Sequence, residues 1–360
     1  MVIEQYTIAT TSKYNFPQPI MDLTLPQRFM ELSLTSLKVM SKCSFQLNQQ
    51  PLQQRSMEPS IQAENLSPEP IHLKLNRQPT IIAAVDTSSI NLGETSRGLV
   101  IAIRGACVWK SNKKYNYLRL GPFIFHITEE NKGEIYNSLL RIYIPNHRGA
   151  ANPSFNQLPL RMANLLERWL QASIAKTLNG GIILFDGSLT AGTPDTPIQQ
   201  LREILKSARE RGNVVLAFAK MTSLRINGLI ITEALVNYKP PYLVPMIDLK
   251  LKPPLTLLGD IYVAKLSAGN CAFRLDIDKE IPHDQRVDAV EKLLGNDLIN
   301  CGYPETLRLA HILCTFTANE VLAMQHYVRR KHRLKIIDRP DMHKLLFGPF
   351  GKGEDDNETL

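Results

Sequence analysis

Several features that mark common protein classes are missing from this chain. The longest apolar stretches, such as residues 181–185 and 214–219, are far shorter than the ~20 residues of a membrane helix, so we expect no membrane span. Residues 1–11 show no basic start followed by an apolar run, which predicts a cytoplasmic location. A Gly-x-x-x-x-Gly-Lys-Ser/Thr loop is also missing, so any nucleotide-driven motor must be a separate subunit.

Cysteine is scarce and scattered. The chain has five cysteines and no Cys-x-x-Cys pair, which argues against a zinc site and against a disulfide framework. We expect reduced and mostly buried thiols at these positions. The cysteines are Cys43, Cys107, Cys271, Cys301 and Cys314.

The composition is that of a folded protein with an excess of positive charge. Of the 360 residues, 44% are hydrophobic and 21% are charged, which excludes wholesale disorder and a coiled-coil rod. Lys and Arg number 42 against 34 Asp and Glu, a net charge of +8 that favours polyanionic partners through long-range attraction.

Three regions differ in sequence character. Residues 1–78 contain Gln-rich and Pro-containing stretches with little periodicity and are predicted to form a partly disordered arm. Within the arm, residues 25–40 have the spacing of one helix, which could dock on a partner or on a second subunit. Residues 79–345 form the main domain, and the acidic residues 346–360 are predicted to be a solvated tail.

The main domain alternates strands and helices, which predicts a mixed α/β fold. An apolar strand at 81–85 ends at Asp86 and is followed by a predicted polar turn at 87–89. Two strands then form an antiparallel meander, and a strand, helix and strand form a βαβ unit with parallel pairing. The other predicted segments are strands 98–109, 115–127, 182–185, 214–220, 255–266 and 272–277, and helices 158–178, 197–211, 285–294 and 304–333.

Two predicted strands end in a carboxylate. Asp86 and Asp186 would lie a few ångströms apart if their strands are neighbours, and a divalent cation would relieve their repulsion. The alternative is that each Asp caps the following turn. Glu167, on the helix between them, could supply a third carboxylate, or it could be a surface residue paired with a neighbour. Glu129 and Glu130 are competitors for that role.

A late segment contains a second group of polar residues. Tyr303 and Pro304 stand where a helix would begin, and His311 lies eight residues after Tyr303, so both can face one cleft. An imidazole can bind a metal, orient a water molecule or donate a proton to a leaving oxygen. A single helical His is also common as a packed or surface residue.

Four features follow one another along the chain: the Val-Asp-x-Ser segment at Asp86, the helical Glu167, the Leu-Phe-Asp-Gly-Ser-Leu segment at Asp186, and the Gly-Tyr-Pro segment followed by Ala-His. In this order they resemble the motifs of the NurA nucleases. The resemblance covers about residues 78–335. The strand that ends in Lys265 and Leu266 is similar to a late strand of that family. The first motif departs from the family pattern, because Thr87 replaces the usual Gly and tolerates positive φ poorly.

The resemblance implies an RNase-H-like mixed sheet flanked by helices, with the N-terminal arm as an addition. It also implies a Mn²⁺- or Mg²⁺-dependent nuclease that acts on DNA single strands and duplex ends, with single-strand endonuclease and 5′–3′ exonuclease activity. Its role would be DNA end resection in double-strand break repair by homologous recombination. The partners implied are a second copy of the chain, in a homodimer, and a hexameric HerA-type ATPase. The catalytic residues implied are Asp86, Glu167, Asp186, Tyr303 and His311, of which Asp86, Glu167, Asp186 and His311 would bind metal.

Basic residues near this acidic centre would contact DNA phosphates. The candidates are Lys220, Lys265, Arg329, Arg330, Lys331 and Arg333. Two other functions remain compatible with the residues alone. One is a noncatalytic RNase-H-like module that binds nucleic acid or the ATPase, and the other is a metal-dependent phosphatase of small molecules.

Overall fold

The computed structural model describes residues 24–38, 40, 44–47, 62–63, 69–144, 153–193, 196–222, 224–226, 229–234, 238–246 and 253–336. Cys43 and the predicted acidic tail at 346–360 lie outside these ranges.

Helices and strands alternate along the described chain. The helices are α1 (Thr24–Lys38), α2 (Lys132–Tyr143), α3 (Leu158–Thr177), α4 (Ile198–Glu210), α5 (Ile231–Ala234), α6 (His283–Asn296), α7 (Glu305–Cys314) and α8 (Ala318–His332). The strands are β1 (Ser44–Leu47), β2 (Gln62–Ala63), β3 (Ile71–His72), β4 (Ile82–Thr95), β5 (Gly98–Ser111), β6 (Lys114–Thr128), β7 (Ile182–Asp186), β8 (Thr190–Ala191), β9 (Val214–Ala219), β10 (Arg225–Ile226), β11 (Leu229–Ile230), β12 (Tyr242–Met246), β13 (Thr256–Leu257), β14 (Gly259–Lys265), β15 (Phe273–Asp278), β16 (Ile299–Asn300), β17 (Tyr303–Pro304) and β18 (Lys335–Ile336).

One large mixed sheet organises the chain. Its central order is β6-β5-β4-β7-β9, in which β5 is antiparallel to its neighbours and β4, β7 and β9 are parallel. This is the strand order of RNase-H-like folds, so the predicted fold class is confirmed. Beyond β9 the sheet continues through β15, β14, β12 and β3, with antiparallel pairing at each step.

The antiparallel meander is longer than its sequence pattern predicts. Strand β4 runs through Asp86 to Thr95 and pairs with β5 along this length, so the predicted turn at 87–89 is wrong. The polar residues of the segment remain in extended backbone because the ladder to β5 continues past them. Thr87 pairs with Gly105, and therefore needs no positive φ.

Helices cover both faces of the sheet. Helices α1 to α4 pack on one face with side chains such as Val85 and Phe185, and we call this the first core. Helices α6 and α7 pack on the opposite face with side chains such as Ala84 and Leu184, and we call this the second core. Neighbouring residues of one strand thus enter different cores, as the two-residue period of a strand requires. Within the described part of the chain, every helix is too short or too polar to span a bilayer.

The predicted helix of the N-terminal arm forms, and it packs on the main sheet. Phe29 of α1 is fully buried and lies 5.4 Å from the ring of Phe123 and 5.9 Å from that of Phe125, both on β6. Strand β1 of the arm also pairs with the far end of β4. The apolar face of α1 is therefore covered by the chain itself, and any contact with a second subunit would involve other surfaces.

The predicted long helix at 304–333 is wrong, because the chain breaks it into α7 and α8. Pro304 precedes the first helical residue and pairs with Ile299. Thr317 and Glu320 form a capping box, in which the Thr317 side chain accepts from the Glu320 N–H and the Glu320 carboxylate accepts from the Thr317 N–H. These bonds satisfy amide groups at the start of α8 and favour a new helix there.

The break is held against β5 by a buried arginine. Arg104, whose side chain is only 2% exposed, donates to Glu320 at 2.8 Å and to the backbone oxygen of Thr315 at 3.2 Å. Its guanidinium also lies 4.4 Å from the centre of the Phe316 ring. Burial works against ionisation of Glu320, but hydrogen bonds from Arg104 and the Thr317 N–H lower its pKa to about 2.

We predict that Glu320→Ala lowers the free energy of unfolding by about 3 kcal/mol or more, because it leaves the buried Arg104 without its carboxylate. Urea unfolding at neutral pH measures the change. The matched control is Glu31→Ala, which removes an exposed pair with Arg28 and should cost less than about 1 kcal/mol. The contribution of Glu320 should be complete above its ordinary pKa and be lost as pH falls towards 2. Equal losses in the two variants would contradict this assignment.

Candidate active site

Asp86 and Asp186 occupy equivalent positions on neighbouring parallel strands. The register pairs Val85 of β4 with Phe185 of β7, so the next residue on each strand is an Asp. Asp86 lies two residues after Ala84 and Asp186 two residues after Leu184, and both of those side chains face the second core. Because side chains two apart on a strand share a face, both aspartates project from that face of the sheet. They line one cleft of ≈ 480 Å³. The structure thus brings together the two carboxylates that the sequence placed at strand ends.

Asp86 is buried and hydrogen-bonded at both oxygens. Its side chain is 8% exposed; Oδ2 lies 2.7 Å from Nδ1 of His311, and Oδ1 accepts from the backbone N–H of Thr87. His311 reaches Asp86 from α7, which packs on the same face of the sheet. Because Nδ1 faces Asp86, Nε2 is the imidazole nitrogen left for a ligand or a proton donor.

Glu167 enters the cleft from the opposite face, on α3. Thr87 lies two residues after Val85, so its side chain is on the face of the first core. Its hydroxyl donates to the backbone oxygen of Ala163 at 3.2 Å and lies 3.5 Å from the Glu167 carboxylate. Gln171, which is fully buried, donates to Glu167 at 2.8 Å and accepts from Arg168 at 2.6 Å. These contacts fix the direction of the Glu167 side chain.

The carboxylates share an environment that disfavours negative charge. Burial raises the pKa of Glu167 to about 8; the charge of Arg168 opposes this shift, and the charges of Asp86 and Asp186 add to it. Burial also raises the pKa of Asp186, against the effect of Lys220 and with that of Asp86. Three acids that repel one another in a cleft are typical of a functional site.

Lys220 and Tyr303 complete the side of the site near Asp186. Lys220 follows β9, and its ammonium donates to Oδ2 of Asp186 at 2.7 Å. The same ammonium lies 5.7 Å from the centre of the Tyr303 ring. The Tyr303 hydroxyl is buried and has no hydrogen-bond partner among the described residues. Burial and the charges of Asp186 and Asp86 raise its pKa, so the phenol stays protonated.

A buried ion pair on the other face of the sheet holds the loop that follows Asp186. Arg274 and Asp276 of β15 are almost fully buried and bonded to each other at 2.7 Å and 2.8 Å. Asp276 also accepts from the backbone N–H of Leu189 at 3.0 Å. Gly187 within this loop has φ +109°, a conformation that favours glycine.

The chemistry of the donor set suits a hard divalent cation. Asp86, Glu167 and Asp186 offer carboxylate oxygens, which Mg²⁺ and Mn²⁺ prefer, and His311 offers an imidazole nitrogen. Burial, and then repulsion among the acids, raise the pKa of Glu167 and of Asp186. A bound cation would favour their ionised forms.

The other predicted site residues lie elsewhere. Lys265 is 8% exposed and shares a sheet face with Val263, opposite to the second core, so a role for it in phosphate binding does not fit this position. The basic residues of the α8 end are exposed but follow the break at Thr317 by about three helical turns. Glu129 pairs with Lys132 at 2.6 Å at the end of β6, and neither Glu129 nor Glu130 lines the cleft.

Sequence reasoning missed three residues that position the site. Thr87 appeared only as a departure from a motif, yet it contacts Glu167. Gln171 lies within the long helix α3. The signal for it was a polar residue one turn after Glu167 on the apolar face of that helix. Asp276 lies on a strand whose partners are distant in sequence, and its alternation with Leu275 and Ile277 was a weak signal.

No family model matches the sequence, and no curated protein matches it. The structure is similar to the NurA nuclease from Sulfolobus solfataricus, with 16% identity, 73% of this chain and 88% of that chain covered, and a TM-score of 0.46. It is similar to a NurA bound to dAMP and manganese, with 11% identity, 75% and 93% covered, and a TM-score of 0.44. It is also similar to an endonuclease V from Bacillus subtilis, with 14% identity, 72% and 89% covered, and a TM-score of 0.34.

We predict that the metal-free protein loses stability as pH rises, and that Glu167→Gln reduces this loss. The folded chain holds a proton on Glu167 up to a pKa of about 8, whereas the unfolded chain releases it near 4.5, so stability falls between these values and levels off above them. The glutamine side chain does not titrate, and the slope should become shallower.

Urea unfolding in EDTA across this pH range measures the slope for each protein. The control is Glu129→Gln, an exposed carboxyl outside the cleft, which should keep the original slope. A slope unchanged by Glu167→Gln would show that the charge on Glu167 carries no such penalty.

Proposed function

We propose that this chain is a divalent-metal-dependent deoxyribonuclease of the NurA type. The observation that carries the proposal is the convergence of Asp86, Glu167 and Asp186 on one cleft from both faces of an RNase-H-like sheet. His311, Tyr303 and Lys220 surround these acids with a nitrogen ligand, a phenol and a cation.

Asp86, Glu167, Asp186 and His311 would hold Mn²⁺ or Mg²⁺ in this cleft. When bound, such an ion supplies Lewis-acid chemistry that activates water and neutralises charge on an attacked phosphate. Gln171 and Thr87 keep the Glu167 carboxylate directed into the cleft before any ion arrives, which reduces the reorganisation needed at the site.

The other side chains have distinct roles in hydrolysis of a phosphodiester. A water oxygen forms a bond to phosphorus while the bond to one ester oxygen breaks, and that oxygen needs a proton as it leaves. Where His311 does not bind the ion, it can donate this proton from Nε2, since Asp86 fixes its other nitrogen. The Tyr303 hydroxyl, protonated and unpartnered among the described residues, can donate a hydrogen bond to a phosphate oxygen.

Lys220 would have a second role besides its predicted phosphate contact. Its ammonium pairs with Asp186, and we infer that it neutralises this carboxylate until a divalent ion takes its place. It would then be close enough to contact a phosphate. The net charge of +8 favours a polyanionic substrate over a small neutral one.

The finer assignment follows the sequence motifs. It comprises single-strand endonuclease and 5′–3′ exonuclease activity at DNA ends, in double-strand break repair. It also comprises assembly of a homodimer with a HerA-type hexameric ATPase. Size-exclusion chromatography with light scattering tests this assembly, and we expect the mass of a dimer for the chain alone and coelution with the hexamer after mixing. A monomer that elutes apart from the hexamer would contradict it.

We predict that Asp186→Asn lowers Mn²⁺-dependent cleavage of labelled single-stranded DNA by on the order of 100-fold or more, because it removes a charged ligand from the cleft. Asp86→Ala should have at least the same effect. Gel analysis of the oligonucleotide products measures the rates. The matched control is Glu129→Gln, which changes an exposed carboxylate outside the cleft and should leave the rate unchanged.

The same assay separates the alternatives. Undiminished cleavage by Asp186→Asn would show that the assigned centre is wrong. Turnover of mononucleotides with intact DNA strands would favour a phosphatase. Binding of DNA without any hydrolysis, in a folded protein with Mn²⁺, would favour a noncatalytic module.

A further inference from the structure

A cysteine lies directly behind the Asp86–His311 pair. Cys314 follows His311 by one helical turn on α7, so the two side chains share a helix face. Cys314 is fully buried, and its thiol donates to the backbone oxygen of His311 at 3.2 Å. A carboxylate oxygen of Asp86, a ring nitrogen of His311 and Sγ of Cys314 all lie within 4.8 Å of one another.

This donor set differs in chemistry from the carboxylate set of the cleft. One oxygen, one nitrogen and one sulfur suit a borderline-soft ion such as Zn²⁺, which binds Cys, His and Asp at about 2.0–2.3 Å. Mg²⁺ and Mn²⁺ prefer oxygen and do not select for the thiol. Small rotations of these side chains would bring the three donors to bonding distance, and water could occupy the fourth position of a tetrahedral ion.

An ion that enters from the cleft would reach two of the three ligands before the third. Asp86 and His311 line the cleft, and the His311 side chain is 52% exposed, so an arriving ion meets them first. Cys314 lies deeper, at the end of the same helix. An ion that binds it must displace the thiol proton to solvent, and the sulfur then bonds to the metal as thiolate.

We propose that Asp86, His311 and Cys314 form a Zn²⁺ site that competes with the hard-cation site for Asp86 and His311. Zinc bound there draws both side chains towards Cys314 and prevents their use in hydrolysis. The inhibitory half of this proposal rests on the proposed nuclease function, whereas the binding half does not. The absence of a Cys-x-x-Cys pair is not an obstacle, because the ligands come from one strand and one helix that the fold brings together.

Co²⁺ is the probe for this site, since it replaces Zn²⁺ and reports a bound thiolate by a charge-transfer band in the near ultraviolet. We expect one equivalent of Co²⁺ to produce the band in the full, metal-free chain under reducing conditions, and Zn²⁺ to abolish it. Cys314→Ser should lose the band. Cys271→Ser, which changes an exposed cysteine, should keep it.

A folded wild-type protein without the band, or a band that persists in Cys314→Ser, would overturn the proposal. X-ray absorption of the Zn²⁺-loaded wild type keeps the test valid if that variant fails to fold. We expect one sulfur at about 2.3 Å, and a zinc shell without sulfur would also overturn the site.

An activity measurement tests the inhibitory half. Zn²⁺ should inhibit Mn²⁺-dependent cleavage, and Cys314→Ser should raise the half-inhibitory zinc concentration by about tenfold or more relative to its own uninhibited rate. Equal inhibition of both proteins would contradict competition through Cys314. If the wild type cleaves no DNA at all, the nuclease proposal fails, while the cobalt band still decides whether the zinc site exists.

Discussion

The parallel pairing of β4 with β7 is the constraint on which the rest of the site depends. It sets Asp86 beside Asp186 in a cleft where burial and the charge of Asp86 raise the pKa of Asp186. Neither carboxylate could hold this position on an isolated strand. The ladders on both sides of β4 and β7 impose the arrangement, and a proton on Glu167 or a bound cation relieves the resulting repulsion.

The polar groups around the acids offset this repulsion. Lys220 bonds to Asp186, His311 to Asp86, and Gln171 to Glu167, so each acid has its own partner. Each partner comes from a different element, namely the end of β9, α7 and α3. Each acid therefore has separate hydrogen bonds although all three line one cleft. These bonds orient the carboxylates in advance for a ligand of opposite charge.

Local sequence patterns predicted the core elements well, because apolar periodicity reports which faces are buried. The boundaries of β7, α3 and the βαβ unit follow from runs of Leu, Ile and Val. The polar segment after Asp86 was misjudged, since its extended form depends on pairing with β5 rather than on its own residues. The break between α7 and α8 depends on Arg104, more than 200 positions earlier in the chain, although its Thr317 and Glu320 capping box is visible in the sequence. The carboxylates were found because they end or follow apolar runs, whereas Asp276 acts across strands whose pairing no local pattern reveals.

The N-terminal arm has a consequence for how the protein folds. Helix α1 shields aromatic rings of β6, and β1 lies between β4 and β18, the latter formed from residues after α8. Segments that are almost 300 residues apart in sequence therefore meet at one sheet edge. The pairing of β1 with β18 cannot form until residues 335–336 have been synthesised, so this edge of the sheet is completed late, after the central strands can already pair.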